Sequence, residues 1–397
     1  MAHEEISKNK RNSQKFLILL CALRTAKGMI IKMKIVKARE SMSARERVIR
    51  TFNHEPADRV TIGYEANEAI HQRLCNSLGL SPDDMEGLNQ ALGVDYRPVH
   101  VPYTGRPLFD VPADRRVNQL EGSIMRWVEH QSGGYWDFCD FPLKDAEDAQ
   151  FEQFPVPDPD DFDYRAALEQ CRQNQQTYAL YIGSPGMPDV INSNGRLMGM
   201  EDVLCHLATG YEPALRLIQK RADSQLEILY RTLDACQGLV DFMWLGEDLG
   251  TQHAPMISLD LYRAVLKPIH KKFADLADAY KIPVMIHSCG SSSWVYDDFI
   301  EIGITGVDTL QPEAKDMQPS YLKEKYGSRL SFRGCISTAG PLAYGTAAEV
   351  DQICKETLEI MMKDYGYHFA PTHAIQDNTP VENVIAMYNA AHKYGVY

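Results

Sequence analysis

Eight short apolar runs alternating with amphipathic helices, and polar residues recurring at the same end of five successive runs, predict an α/β protein. The predicted form is a single (β/α)8 TIM barrel with an insertion between its second and third strands. The runs are 60–64, 97–102, 178–183, 242–246, 283–287, 306–310, 330–334 and 367–370. Each is bounded by turn residues, and their continuous hydrophobicity suits parallel strands buried on both faces.

The helices between them carry start signals. Thr346-Ala-Ala-Glu349 and Thr379-Pro-Val-Glu382 read as capping boxes, in which a hydroxyl and a carboxylate satisfy the free N–H groups of a first turn. Gly366 is placed to stop the first of these helices. Ser258 is placed to cap a helix with the stripe Leu261, Val265, Ile269, Phe273 and Leu276, and Ser81-Pro-Asp-Asp84 opens another. The segment 104–160, rich in aromatic, acidic and proline residues, reads as the insertion rather than a second domain.

The 397 residues are 44% hydrophobic and 24% charged, with net charge −13, as in a soluble globular protein and unlike a nucleic-acid-binding surface. Residues 1–41 hold ten Lys and Arg against three Asp and Glu, so +7 lies there and the remainder carries −20. This basic head is expected to be a disordered extension, with the barrel spanning 42–397. Its apolar run 16–22 is too short to cross a bilayer. Nine scattered cysteines suggest reduced thiols and a cytoplasmic setting. Walker-type, dinucleotide-binding and nucleophile-elbow motifs are missing.

Active sites of such barrels lie where the strands end. Here those ends carry Glu247 and Asp248, then His287 and Cys289, Glu313, Cys335, and His373. Strand alternation sends His287 and Cys289 to one side, and Cys335 ends a strand two places on. One imidazole and two thiolates form a zinc set with a fourth position open, for which Glu313 and then Glu247 are the nearest carboxylates. A purely structural reading of these cysteines, as small buried apolar residues, stays open. Glu247, Glu313 and His373 are the expected catalytic residues, although Asp248 and His373 could equally cap or brace. Arg333 could grip a carboxylate, but its place beside Cys335 is expected to turn it the other way. Asp308 and Asp377 are weaker choices.

Met42-Ser-Ala-Arg-Glu-Arg-Val, Phe52-Asn-His-Glu-Pro-Ala-Asp-Arg59, Trp244-Leu-Gly-Glu-Asp-Leu-Gly-Thr-Gln252, His287-Ser-Cys-Gly290, Gln311-Pro-Glu313 and Pro371-Thr-His-Ala-Ile-Gln-Asp-Asn-Thr-Pro380 resemble blocks of the uroporphyrinogen decarboxylase superfamily. The resemblance covers about residues 42–395 and implies a (β/α)8 barrel with its site at the strand C-termini. True decarboxylases of porphyrin biosynthesis carry an arginine-rich block after the first strand. Here the stretch is Gly63-Tyr-Glu-Ala-Asn-Glu-Ala69, with carboxylates instead.

The cobalamin-linked methyltransferase branch has a His-x-Cys…Cys zinc site, matched in type and order by His287, Cys289 and Cys335. That likeness implies methyl transfer between a small substrate or thiol and a corrinoid carried by a partner protein. A decarboxylase acting on a carboxylated substrate and a non-catalytic barrel that only binds are the alternatives. Oligomeric state is left open.

Overall fold

The computed structural model describes residues 34–397. All eight expected runs are parallel strands of one curled sheet: β1 (Thr61–Ile62), β2 (Tyr96–Pro98), β6 (Ala179–Pro188), β7 (Phe242–Gly246), β8 (Val284–His287), β9 (Gly306–Leu310), β10 (Ser331–Ile336) and β11 (Tyr367–Pro371). Their order is β1-β11-β10-β9-β8-β7-β6-β2, so neighbours in sequence are neighbours in space from β6 onward. The outer strands approach each other: Asp95, just before β2, donates its N–H to the carbonyl of Ile62 in β1 at 3.0 Å. This is a TIM-barrel-like fold.

The segment between β2 and β6 holds a three-stranded antiparallel sheet, β3 (Arg116–Val117), β4 (Ile124–His130) and β5 (Gly133–Cys139), in that order. The tip of its hairpin reaches the barrel's end. Nε2 of His130 is 3.8 Å from Asp377, in the loop after β11, and a Cβ on Gly133 would touch Ala69 and Asp377.

Two apolar layers follow from strand alternation. Leu245, Ile286 and Phe332 join the large core between sheet and helices, whereas Phe242, Trp244 and Met285 point inward with Tyr96 and Phe52. The helix Ala44–Phe52, capped by Ser43, plugs the lower end with Val48 and Phe52. The interior is therefore filled from below.

Cap chemistry is partly as expected. Thr346 and Glu349 form the reciprocal capping box of the helix Ala347–Met361, and Ser258 caps at Leu261. The second box does not form: Pro380 is the cap of Val381–Tyr394, and the Thr379 hydroxyl is buried without a partner. Asp84, rather than Ser81, caps Met85–Leu92.

Residues 1–33 of the expected extension lie outside the described residues. Residues 34–41, also assigned to it, are packed on the body instead. Ile35 is buried, Val36 N–H bonds Asn389, and Glu40 pairs with Arg59 at 2.7 Å. A buried ion cluster anchors this corner. Asp95 accepts from Arg47 at 2.6 Å, from Arg59 at 2.7 and 3.0 Å, and from the N–H of Ile62 at 2.7 Å. One carboxylate thus ties the plug helix, the start of β1 and the start of β2 together. Removing it leaves buried Arg47 with Asp58 and buried Arg59 with the more exposed Glu40, so Asp95→Ala should destabilise the fold by about 3 kcal/mol in urea unfolding. A loss under ~1 kcal/mol would show that the cluster does not hold the corner.

Candidate functional site

The site is assembled by the loops that follow β7 and β8. Counting alternation from inward-facing Trp244 places Gly246 and Asp248 inward and Leu245 and Glu247 outward. The two loops touch backbone to backbone: a Cβ on Gly250 would lie 2.4 Å from the nitrogen of Ser291, and one on Gly290 would lie 2.3 Å from the carbonyl oxygen of Gly250. Only glycine permits that approach, which sets Asp248 beside Cys289. The Cys289 N–H donates to Asp248 Oδ1 at 2.7 Å, and Asn192 Nδ2 donates to Oδ2 at 2.9 Å.

At the end of β8, His287 and Cys289 face the same way, as alternation predicts. Cys289 Sγ lies 3.3 Å from His287 Nε2, and Asp248 Oδ1 lies 3.8 Å from the same nitrogen. The ligand atoms of Asp248, His287 and Cys289 all fall within 4.8 Å of one another. The other ring nitrogen, Nδ1, meets Asp308 Oδ2 at 3.0 Å and Thr309 Oγ1 at 2.6 Å. A full negative charge on that side keeps a proton on Nδ1 and turns Nε2 toward Cys289 and Asp248.

Asp308 is fully buried and is itself fixed, since Arg333 Nη1 donates to its Oδ1 at 2.5 Å. Burial alone would raise the Asp308 pKa, but the charges of Arg333 and His287 outweigh it and hold the group at about 2. Arg333 in turn donates through Nε to the Tyr96 hydroxyl at 2.7 Å and lies 4.6 Å above the Trp244 ring. Burial disfavours charge on His287, yet its bonds to Asp308 and Cys289 push its pKa well above the ordinary histidine value. The same pairing favours the Cys289 thiolate, although burial wins and leaves that thiol raised.

Several expectations are corrected. Cys335 is not part of the convergent set. Gly334 (φ 114°) and Cys335 (φ 69°) are both left-handed, which breaks alternation at the end of β10, and the thiol enters the core between sheet and helices. Burial and the charge of Glu313 push its pKa far up. Arg333, expected to face away, points into the barrel: it lies two residues from Cys335, so alternation puts it on the inward side and only Cys335 departs. Glu247 faces the helix layer, fully buried, where its oxygens accept from the N–H groups of Val190 and Ile191 at 2.7 and 2.9 Å and contact His270 at 3.2 Å. It thereby satisfies the first two N–H groups of the helix Val190–Met198, whose N-cap is Asp189. Glu313 is exposed on the loop after β9, outside the ligand cluster. His373 is exposed after β11, its ring centroid 6.4 Å from that of His287. Asp377, also considered, is buried and accepts from the N–H of Ile70 at 3.2 Å. Thr309, at φ 65°, went unnoticed; its left-handed backbone lets it and Asp308 reach the same imidazole.

Fold and site together define a parallel α/β barrel-like protein with a histidine–cysteine–carboxylate cluster where its strands end. Residues 149–394 match the family described as Uroporphyrinogen decarboxylase (URO-D), and the chain belongs to that family. It is 22% identical over 260 residues to a uroporphyrinogen decarboxylase of Actinobacillus succinogenes, an overlap of 64% of this chain and 70% of that protein. Among solved structures, a methyltransferase from Methanosarcina mazei is 17% identical with a TM-score of 0.63, over 89% of this chain and 99% of that one, a likeness of fold. Among the described residues no helix is long and apolar enough to cross a membrane.

Below the site, His368 lies wholly buried with Nδ1 2.7 Å from the Thr61 hydroxyl. Burial, reinforced by Arg333, pushes its pKa down from 6.5 to about 3. The unfolded chain therefore takes up this proton first as pH falls. Its contribution to stability is complete above about pH 6.5 and is lost between there and about pH 3. Urea midpoints of His368→Asn should fall less steeply than those of the wild type across that window. Parallel curves would place the acid sensitivity elsewhere.

Proposed function

We propose that the chain is a zinc-dependent methyltransferase, moving a methyl group between a small substrate or thiol and a corrinoid held by a partner protein. The carrying observation is the convergence of Asp248, His287 and Cys289, with His287 braced from behind by a buried carboxylate. Nitrogen, sulfur and carboxylate oxygen are donors that zinc accepts, and three protein ligands leave one position for a reactant. Asp248 has lone pairs to spare, because each oxygen accepts a single protein hydrogen bond. Zinc bound there would hold a substrate thiol as its thiolate at neutral pH, and so supply the nucleophile for methyl transfer.

The chain's own residues have distinct tasks in this reading. Asp308 fixes the tautomer and angle of His287, and Arg333 keeps Asp308 ionised. Asn192 and the Cys289 N–H hold Asp248 in place. His373 and Glu313, exposed on the loops after β11 and β9, would meet substrate or partner. Trp244, with Arg333 above it, forms the floor and excludes water from beneath.

A decarboxylase acting on a carboxylated substrate is the second reading, favoured by the name of the Actinobacillus succinogenes relative. It requires a cation free to grip carboxylate. Arg333 is already paired with Asp308, and its second amino group faces Glu65 at 3.5 Å.

Reduced wild-type protein should hold about one zinc per chain, lost in Asp248→Ala and Cys289→Ala but kept in Cys335→Ala. Asp308→Asn should weaken zinc affinity about 10- to 100-fold. Demethylation of methylcobalamin by a panel of small thiols, followed by absorbance, should track zinc content across these variants. Turnover of a carboxylated substrate that is indifferent to chelation would favour the decarboxylase.

A further inference from the structure

A cavity of about 210 Å³ lies outside the sheet, on the far side of β6 from the mouth. Its walls are the helix Glu212–Cys236, the chain after β2, and the proline-rich segment 155–157 that ends the insertion. Ile182 of β6 lines it, whereas its neighbour Tyr181 packs inward on Phe242 and Trp244, so a layer of sheet separates this space from the barrel interior. Val101, Val156, Met187 and Ile228 make the lining largely apolar.

The polar exception is Arg221. Its residue is only 7% exposed, yet among the described residues no carboxylate oxygen lies within 4.0 Å of its guanidinium. Its protein bonds all run through Nη1, to Asn194 Oδ1 at 2.5 Å and to the carbonyl of Ser193 at 3.4 Å. The nearest acids, Glu121 and Asp189, are turned to Arg196 at 3.9 and 3.8 Å. Burial lowers the Arg221 pKa to about 10, as expected for a buried cation short of counter-charge. One helical turn on, Gln225 also lines the cavity, and its buried amide oxygen has no hydrogen-bond partner. Buried charges in proteins are normally paired, because leaving one bare costs several kcal/mol.

We propose that this cavity is a second ligand site, distinct from the barrel mouth, which takes a small monocarboxylate with an apolar body. The carboxylate pairs with the free edge of the Arg221 guanidinium in the bidentate geometry that this group favours. Only an exchange of the Gln225 amide O and N would present its NH2 to the carboxylate in place of the unpartnered oxygen. The apolar walls take the hydrocarbon portion, as in other small-molecule pockets. A single cation with Glu121 near the rim selects one negative charge over two.

The test is calorimetric titration of the full chain with hexanoate and 3-phenylpropanoate, each beside its primary amide. The acids should bind saturably and the amides roughly tenfold or more weakly, the ratio expected for one charge-assisted contact. Arg221→Gln should erase that preference, and Ile228→Trp, which fills the cavity, should abolish binding. His287→Ala, at the mouth, should leave it unchanged whether or not the methyltransferase reading holds. No saturable binding, equal binding of acid and amide, or loss in His287→Ala with retention in Arg221→Gln would each overturn the proposal. If Arg221→Gln does not fold, Ile228→Trp and the acid-to-amide ratio still decide it.

Discussion

Asp308 accepts from Arg333 through one oxygen and faces the His287 ring with the other, in a place closed to bulk solvent. Everything at the mouth depends on that arrangement. A buried carboxylate survives ionised only beside a buried cation, and Arg333 is tolerable there because Asp308, the Tyr96 hydroxyl and the Trp244 ring face take up its charge. With the charge on Asp308 secured, a proton belongs on His287 Nδ1, and Nε2 is the nitrogen that points outward. The chemistry of the rim is thus set one layer below, by an ion pair inside the barrel.

The upper layer is set by backbone. Gly250 and Gly290 let the loops after β7 and β8 lie against each other, so Asp248 and Cys289 share a hydrogen bond instead of facing each other across solvent. Strain appears on the neighbouring strands: Thr309 and Cys335 are non-glycine residues in left-handed conformations, at the ends of β9 and β10. The first brings a second acceptor to His287, and the second carries a thiol out of reach. Such distortions at strand ends are where a barrel departs from its regular pattern to shape a site.

The barrel strands were legible because parallel strands buried on both faces leave continuous apolar runs, which no solvent-exposed segment imitates. The antiparallel sheet of the insertion was not. Residues in β4 are partly or fully exposed in no regular alternation and without a buried face, so no apolar period of two was there to read. His287 and Cys289 were found by parity within one strand. The same parity, counted from Trp244, would have turned Glu247 outward and Asp248 inward, and counted along the next strand but two it would have put Arg333 on the side expected for Cys335, two residues on. Cys335 defeats parity, and the warning was the glycine before it. Asp308 was visible as an acid within an apolar strand, although its partner, 25 residues on, is a matter of tertiary packing. The Asp95 cluster was likewise hidden, since it joins three separate segments.

Zinc-edge anomalous diffraction from crystals of the reduced, zinc-loaded wild-type protein tests the central claim most directly. The account predicts one peak within bonding distance of Asp248, His287 Nε2 and Cys289 Sγ, with Asp308 still on Nδ1 and Cys335 unliganded. A peak bound by Cys335, or an imidazole ligated through Nδ1 with Asp308 displaced, would contradict it.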